Sequence, residues 1–379
     1  MSKGKGGMGD TGARKRPPTI DDVVRVRAPD AALASPAAAE EQGRGGGQPP
    51  RIVEIARLAG VSPITVSRAL HQPEKVAEAK RRRILEIVER TGYATNPHAR
   101  ALRSGQSNIV AAFVSNIQSQ QFCLAVQGCG EILEPQGYQL MIGQTSYSYA
   151  KETTMIQSLR GMRPAAVMFT GVIEIEENRR ALRTLGIPIM ESWAYPRDPI
   201  DMLVGFSNID GGRMAAEHFA ERGYRRVAYI GRRSGRGALR LTGFREGARA
   251  GGLDIVAERT VDSVSSMVDG RTALAELLAN HLAGSSPVEA VFCANDILAV
   301  GALLEARRQG LRVPGDIAIL GFGHNDVAEE LSPGLTTVGI DSRALGRRAG
   351  TMILQRLRNE TPEATTELVE LTLTRRGST

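Results

Sequence analysis

Arginine, carboxamide and carboxylate side chains that could bind a small polar ligand follow apolar, strand-sized runs. Arg240 comes shortly after the glycine-rich stretch 231–237, and its planar guanidinium can bind a carboxylate through two parallel hydrogen bonds. Asn295 and Asp296 follow the apolar run 290–293, at the end of a predicted strand, where residues of a ligand cleft belong. Each has an alternative, because a lone arginine is usually a solvated surface residue and Asp296 suits the N-cap of a helix.

A second group of side chains, near residue 65, could read DNA. Arg68 could donate two hydrogen bonds to a guanine, and the hydroxyls of Thr65 and Ser67 suit phosphate oxygens. Pro63 and Ile64 would lie at the start of a helix, where they could meet base edges in the major groove. The predicted DNA-contacting residues of this helix are Ser62, Pro63, Ile64, Thr65, Ser67 and Arg68.

The elements that must position this second group are short helices. Residues 53–59 have a helical apolar pattern that Gly60-Val61-Ser62 interrupts, and Ser62 suits an N-cap before a proline at the first helical position. Two short helices with a tight glycine-containing turn form a helix-turn-helix. We expect Ile55, Ala56, Val61 and Val66 to pack the two helices together, and a third helix to cover 78–91.

The positive charge of the chain is concentrated on the same segment. Residues 51–108 hold 11 Lys and Arg against 5 Asp and Glu, whereas residues 109–379 hold 29 against 30. A basic segment beside a neutral body is typical of a module that binds phosphates. A merely solubilising surface is the alternative.

Several classes of protein are disfavoured. The three cysteines form no C-x-x-C pair and the five histidines lie far apart, so we expect no disulfide, no metal site and no cofactor. Residues 231–237 match neither a dinucleotide-binding nor a P-loop motif, and we find no spacing of nucleophile and base, so we expect no enzyme. No membrane span and no secretory signal is evident, which predicts a cytoplasmic protein.

The organisation changes twice along the chain. Residues 1–50 are rich in Gly, Ala and Pro and are predicted to be a disordered tail. After Ser107, apolar runs such as 109–114 alternate with helix-length amphipathic stretches. This alternation predicts an α/β body with parallel sheets, and there are enough strand candidates for two sheets with a ligand cleft between them.

The run from Ile55 to Leu70, followed by Gly92-Tyr93-Ala94-Thr95-Asn96, resembles the head of the lac repressor family. The body motifs of that family match Arg240-x-x-Gly-Phe244, Phe292–Asp296 and Val313–Phe322. The resemblance implies an N-terminal all-α helix-turn-helix head and a periplasmic-binding-protein-like body of two doubly wound parallel-sheet subdomains. One departure is Ala77, where many relatives have a serine that caps the third helix.

The resemblance also implies a hinge helix over 97–106 that folds on operator DNA. Leu102 matches the apolar residue that this family inserts into the minor groove. Asn96 and Arg100 are expected to contact DNA nearby. A linker leucine packed on the body is the alternative for Leu102.

In the body, the resemblance implies a set of effector-binding residues: Phe122, Glu191, Trp193, Arg240, Asn295, Asp296 and His324. Phe122 could equally be a core residue, and Trp193 could stack on a sugar. Many relatives have Gly-Tyr/Phe-Asp-Asp where this chain has Gly321-Phe322-Gly323-His324. The loss of a carboxylate beside a retained arginine favours an anionic effector. The sequence resembles the gluconate-repressor branch, so we expect a sugar acid such as gluconate, with gluconate phosphates and keto-gluconates as competitors.

The boundaries expected from the sequence are a tail at 1–50, a head at 51–96, a hinge at 97–106, a body at 107–373 and a tail at 374–379. The body is expected to divide into 107–206 with 335–360, and 207–334 with 361–373. The resemblance implies a homodimer on double-stranded operator DNA and no membrane partner. Alternatives are a regulator of another sugar, a corepressor-dependent regulator or a sugar-binding transport protein.

Overall fold

The computed structural model describes residues 50–93, 107–261, 266–281 and 287–379. These residues belong to two units, a head within 1–94 and a body within 95–379. The expected tail, apart from its last residue, and the expected hinge at 97–106 lie outside the described residues. None of the helices in the described ranges is both long and apolar enough to cross a membrane.

The head consists of three helices, α1 (Ile52–Ala59), α2 (Pro63–His71) and α3 (Glu78–Thr91). Gly60 ends α1 in the left-handed conformation, with φ of 66°, which glycine adopts without the steric penalty of a side chain. The Ser62 hydroxyl caps α2 by accepting a hydrogen bond of 3.2 Å from the Thr65 amide. The predicted turn and cap are therefore confirmed.

A small apolar core holds the three helices of the head together. Ile55, Ala56 and Val66 are buried in it as expected, and Val61 packs against it partly buried. Ile84 and Ile87 bring α3 into the same core. Ala77 gives α3 no side-chain cap, in line with the departure seen in the sequence.

The body contains two sheets of six strands each within the described residues. The first has the spatial order β11-β5-β4-β3-β1-β2 and the second the order β12-β10-β9-β8-β6-β7. All pairs are parallel except that between β10 and β12. The strands are β1 Ile109–Val114, β2 Gln139–Gln144, β3 Ala166–Phe169, β4 Ile189–Ser192, β5 Met202–Gly205, β6 Arg226–Gly231, β7 Asp254–Thr260, β8 Ala290–Cys293, β9 Ala318–Phe322, β10 Thr336–Gly339, β11 Thr366–Leu368 and β12 Thr372–Thr374.

Helices cover the faces of both sheets, which confirms the predicted α/β architecture. In the described part of the body they are α4 Gln120–Leu133, α5 Tyr149–Met162, α6 Glu176–Arg183, α7 Asn208–Glu221, α8 Gly235–Ala250, α9 Met267–His281, α10 Asp296–Arg308, α11 Val327–Glu330 and α12 Ser342–Leu357. Because the central strands are covered on both sides, they are continuously buried, as β1, β3 and β8 are along their whole lengths.

The predicted subdomain boundaries are wrong at two crossings. Strand β10 was expected in the first subdomain but pairs with β9 in the second sheet. Strand β11 was expected in the second but pairs with β5 in the first. The chain returns to the first sheet through α12, which packs on α4, and crosses back before β12. Strand β11 pairs with a strand far away in sequence, and no local pattern specifies which of the two sheets β10 joins.

The residues expected to form a C-terminal tail at 374–379 pack into the second subdomain instead. Ser378 is fully buried; its hydroxyl donates to the Ile319 carbonyl at 2.6 Å and accepts from the Thr336 amide at 2.8 Å. The Thr379 hydroxyl bonds His218 at 2.7 Å. Burial lowers the pKa of His218 to about 4, which keeps its ring neutral in this contact.

Two helices of the second subdomain, α7 and α8, cross at glycine contacts. A Cβ atom on Gly243 would lie 1.8 Å from the Ile209 carbonyl oxygen, and one on Gly212 would lie 1.9 Å from the Arg240 carbonyl oxygen. Both obstacles are backbone atoms, which cannot rotate away. The glycines therefore set the separation of the helix that carries Arg240 from the helix that carries Asn208.

We predict that Gly243→Ala lowers the free energy of unfolding by about 3 kcal/mol, because the methyl group forces the two backbones apart. The measurement is urea unfolding of the full chain. Gly161→Ala is the matched control, since a Cβ there meets nothing within 4 Å; we expect it to leave stability unchanged or raise it by about 0.5 kcal/mol. Equal stability of the two variants would contradict the close crossing.

Candidate functional site

A cavity of about 230 Å³ opens between the two sheets of the body. Its lining includes the residues that directly follow four strand ends: Ser115 after β1, Thr170 after β3, Arg232 after β6 and Ala294 after β8. Crevices at the carboxyl ends of parallel strands are where open α/β sheets bind ligands. Because both sheets contribute, a ligand in the cavity would contact both subdomains.

Arg240 lies on the wall of this cavity, in the second turn of α8. Its side chain is held by a hydrogen bond of 2.9 Å from Nε to Asn208 Oδ1 and one of 2.5 Å from Nη1 to the Ala294 carbonyl. Its guanidinium lies 3.6 Å from the centre of the Phe322 ring, a cation–π contact. Burial lowers the pKa of Arg240 to about 9.

Arg236 lies one helical turn before Arg240 and lines the same cavity. Its Nη1 donates to the Thr170 carbonyl at 2.8 Å, and its Nη2 donates to Ser115 Oγ at 3.4 Å, so it contacts the first subdomain. Burial lowers its pKa. Among the described residues, neither this guanidinium nor that of Arg240 forms an ion pair with a carboxylate.

Aromatic rings form part of the cavity wall. Phe122 and Trp193 meet edge to face with centroids 5.0 Å apart, and both line the cavity, as predicted. The Trp193 indole nitrogen lies 3.5 Å from Gln121 Oε1. The guanidinium of Arg236 lies 5.1 Å from the centre of the Phe122 ring. An apolar wall beside cations suits a ligand with an anionic end and C–H faces.

Asn295 also lines the cavity, but its side chain has a structural task. Its Oδ1 accepts a hydrogen bond of 2.8 Å from the Leu298 amide, which caps α10. The capping alternative therefore holds for Asn295 rather than for Asp296. A direct contact between Asn295 and an effector stays a prediction.

Glu191 and Asp296 are buried supports rather than cavity-lining residues. The two carboxylate oxygens of Glu191 accept hydrogen bonds of 2.7 Å from the amides of Ile173 and Ile200, and burial raises its pKa. Asp296 accepts hydrogen bonds from the Asn325 amide at 2.9 Å and from the Thr337 hydroxyl at 2.6 Å. Both carboxylates are fully buried and already bonded, so neither is placed to contact a ligand in this cavity.

His324 was also expected to contact the effector, but it lies elsewhere. Its Nε2 bonds the Thr337 carbonyl at 3.2 Å and the Thr374 hydroxyl at 3.1 Å. It borders a second cavity, which is lined in part by the chain segments that cross between the two subdomains. Burial lowers its pKa.

Sequence reasoning missed several residues of the cavity, foremost among them Arg236. Residues 231–237 were considered only as a glycine-rich stretch, whereas α8 already begins at Gly235, which places Arg236 on the same face as Arg240, four residues later. An i, i+4 pair of arginines was the signal that could have found it. Other cavity-lining residues that were missed include Ser115, Tyr147, Tyr149, Glu152, Thr170, Glu174 and Arg232.

Two carboxylates of the cavity wall are engaged with neighbours. Glu174 accepts a short hydrogen bond from the Tyr149 hydroxyl. Glu152 accepts from Asn178 at 3.0 Å, and burial raises its pKa. No group of His, Cys, Asp and Glu in the described residues could hold a metal ion.

The predicted DNA-contacting residues of the head fall on one exposed stretch of α2. Pro63, Ile64 and Arg68 are exposed, and Ile64 has 61% of its surface open to solvent. Thr65 and Ser67 are half-buried. Burial of Val66 and Ala69 on the opposite side fixes this orientation. Asn96, Arg100 and Leu102 lie outside the described residues and stay predictions.

Each unit of the chain matches a known protein family. Residues 51–96 match the family described as bacterial regulatory proteins, lacI family. Residues 216–379 match the family described as periplasmic binding protein-like domain.

Full-length relatives give the same assignment. The chain is similar to the HTH-type transcriptional regulator GntR of Pseudomonas aeruginosa, with 38% identity over 80% of this chain and 88% of the relative. It is 28% identical to GntR of Escherichia coli K12 over 82% of this chain and 93% of the relative. A solved LacI-family transcriptional regulator from Silicibacter pomeroyi superposes with a TM-score of 0.80 at 28% identity, covering 87% of this chain and 99% of that one.

We predict that acidification stabilises the wild type relative to Asp296→Asn. The pKa of Asp296 rises from 3.8 to about 6 on folding, so the folded state takes up a proton as pH falls through about 6 while the unfolded chain does not. Between pH 7 and pH 5 the wild type should gain about 1 kcal/mol relative to the variant. Urea unfolding at both pH values measures this, and an unchanged difference would contradict a desolvated carboxylate.

Proposed function

The chain belongs to the LacI family of bacterial regulatory proteins, whose members are ligand-responsive transcriptional regulators and not enzymes, and from this premise we propose that it represses genes of sugar-acid metabolism. In this proposal a sugar acid, gluconate first, binds the cavity of the body and releases the head from its operator. The protein acts in the cytoplasm, where its operator is. The resemblance to the gluconate-repressor branch and the two relatives named GntR support this choice of effector.

The observation that carries the proposal is the charge of the cavity. Arg240 is only 6% exposed, and neither it nor Arg236 has a carboxylate partner within the described part of the chain. Removing a guanidinium from water without pairing its charge is costly, and an anionic ligand would offset that cost. A neutral sugar would leave both charges unpaired.

Contacts between the two subdomains allow ligand binding in the cavity to change how the subdomains are arranged. Gln120 in the first subdomain and Asp326 in the second exchange two hydrogen bonds, of 2.5 Å between the side chains and 2.9 Å from the Asp326 amide. Arg236 adds further bonds across the cavity. A ligand that replaces or strengthens such contacts shifts the equilibrium between arrangements of the subdomains, because it binds one arrangement more tightly.

A homodimer completes the proposal, since a helix-turn-helix reads half-sites in pairs about one helical turn apart. The body exposes apolar side chains that a second copy could cover. Met141 and Ile142, on the edge strand β2, are 47% and 48% exposed. Met267 and Val268 in α9 are 51% and 52% exposed. An uncovered apolar edge strand is unfavourable in a monomer.

We predict that Arg68→Ala weakens operator binding by at least about 1–3 kcal/mol, because it removes a bidentate contact to a base. Fluorescence anisotropy with the chain's own upstream DNA measures this. Arg307→Ala, in the last turn of α10, removes the same charge from the body and should bind DNA like the wild type. Equal losses in both variants would show that only net charge matters.

We predict that gluconate weakens operator binding by about 5- to 150-fold, the usual range of coupling between two sites. Glucitol is the matched control, since it has the same carbon chain with a neutral end, and it should leave operator binding unchanged. Tighter operator binding with gluconate would favour a corepressor mechanism. A response to glucitol and not to gluconate would favour a neutral-sugar regulator.

A further inference from the structure

The two arginines of the cavity are engaged to different degrees. We propose that the carboxylate of the effector pairs with Arg236 and that Arg240 contacts a hydroxyl of the effector. This assignment rests on the proposed function, because it needs an anionic effector. It makes Arg236 the residue that distinguishes an acid from the corresponding neutral polyol.

Arg240 is the less available of the two for a strong ion pair with a ligand. Its Nε and Nη1 are bonded to Asn208 and Ala294, and one face of its guanidinium is packed on Phe322. Among the described residues, Nη2 is the one guanidinium nitrogen of Arg240 that donates no hydrogen bond. A single remaining nitrogen suits a ligand hydroxyl better than the fork geometry that a carboxylate prefers.

One of the two hydrogen bonds of Arg236 is weak, and the residue lies where the two walls of the cavity meet. Its hydrogen bond to the Thr170 carbonyl is short, but that to Ser115 is 3.4 Å, a distance at which a hydrogen bond is weak. The guanidinium is 5.1 Å from the Phe122 ring and 6.0 Å from the Tyr147 ring. A carboxylate could therefore replace the weak bond to Ser115 while the rings keep water away from the ion pair.

The surroundings of Arg236 leave room for such a carboxylate. Gly171 is next to Thr170, and a Cβ atom there would lie 3.5 Å from Arg236 Nη1 and 3.8 Å from Ser115 Oγ. The absence of a side chain at Gly171 keeps open the space beside the guanidinium. A carboxylate in that space would contact the helix α8 of one subdomain and the strand ends of the other at once.

The test is calorimetric titration of the full chain with gluconate and with glucitol. In the wild type we expect gluconate to bind about 100-fold more tightly than glucitol, since truncating one partner of a buried ion pair costs that much or more. Arg236→Gln should lose about 100-fold in gluconate affinity and bind glucitol as before. Arg236→Lys should recover part of the loss, because the charge returns without the fork.

Two further variants separate a direct pair from general electrostatics. Arg232→Gln removes the same charge from the same cavity and should change the preference for gluconate by at most about threefold, because in this proposal the carboxylate does not contact Arg232. Arg240→Gln should weaken gluconate and glucitol to the same extent, because both ligands carry the hydroxyl that Arg240 contacts and only one carries the carboxylate. Loss of the preference in Arg240→Gln and its retention in Arg236→Gln would overturn the assignment.

A second pair keeps the test valid if Arg236→Gln does not fold. Ser115→Asp would place a carboxylate against Arg236 and compete with the effector, whereas Ser115→Asn has nearly the same shape and no charge. We expect gluconate affinity in Ser115→Asp to be about 100-fold below that in Ser115→Asn. Equal affinities overturn the Arg236 assignment alone, whereas a wild type that binds no sugar acid overturns the proposed function as well.

Discussion

The cavity of the body holds two guanidinium groups, one buried and one half-buried, without a carboxylate to pair either of them. Arg236 and Arg240 are instead held by main-chain carbonyls, an amide side chain and aromatic faces. Such contacts compensate a buried charge only in part, which is reflected in the lowered pKa of both groups. A site of this kind reduces the stability of the empty protein and gains from binding an anion.

The surrounding fold fixes where these charges can lie. The glycine crossing of α7 and α8 sets Asn208 beside Arg240, and the buried carboxylate of Asp296 holds the chain that leads away from β9. Glu191 does the same for two loops of the first subdomain. Glu191 and Asp296 thus support backbone, whereas Glu152 and Glu174 in the cavity wall accept hydrogen bonds from neighbouring side chains.

The head was predictable nearly residue by residue, because its signals are local. Ser62 before Pro63 is a helix start that depends on adjacent residues only, and the apolar spacing of Ile55 and Val66 depends on one helix pair. The alternation of strands and helices in the body was also local, and it predicted two sheets. The sheet to which β10 and β11 each belong was not predictable, since β11 pairs with β5, more than a hundred positions away, and no local signal marks where the chain crosses between the subdomains.

The cavity was predicted only in part for a different reason. Phe122, Trp193, Arg240 and Asn295 were expected in it and line it. Glu191 and Asp296 were expected for their charge, but whether a carboxylate faces a ligand or a buried amide depends on neighbours that sequence spacing does not reveal. Arg236 was missed because it lies in a glycine-rich stretch that matched no known binding motif, although this stretch includes the first residues of α8.

The central claim is that the anion site of the body and the DNA-reading face of the head are coupled in one protein. Thermodynamic reciprocity tests it most directly. The affinity for gluconate is measured by calorimetry on the free protein and on the protein saturated with its operator. The account predicts that operator weakens gluconate binding by the same factor by which gluconate weakens operator binding. Identical gluconate affinities with and without operator would contradict it.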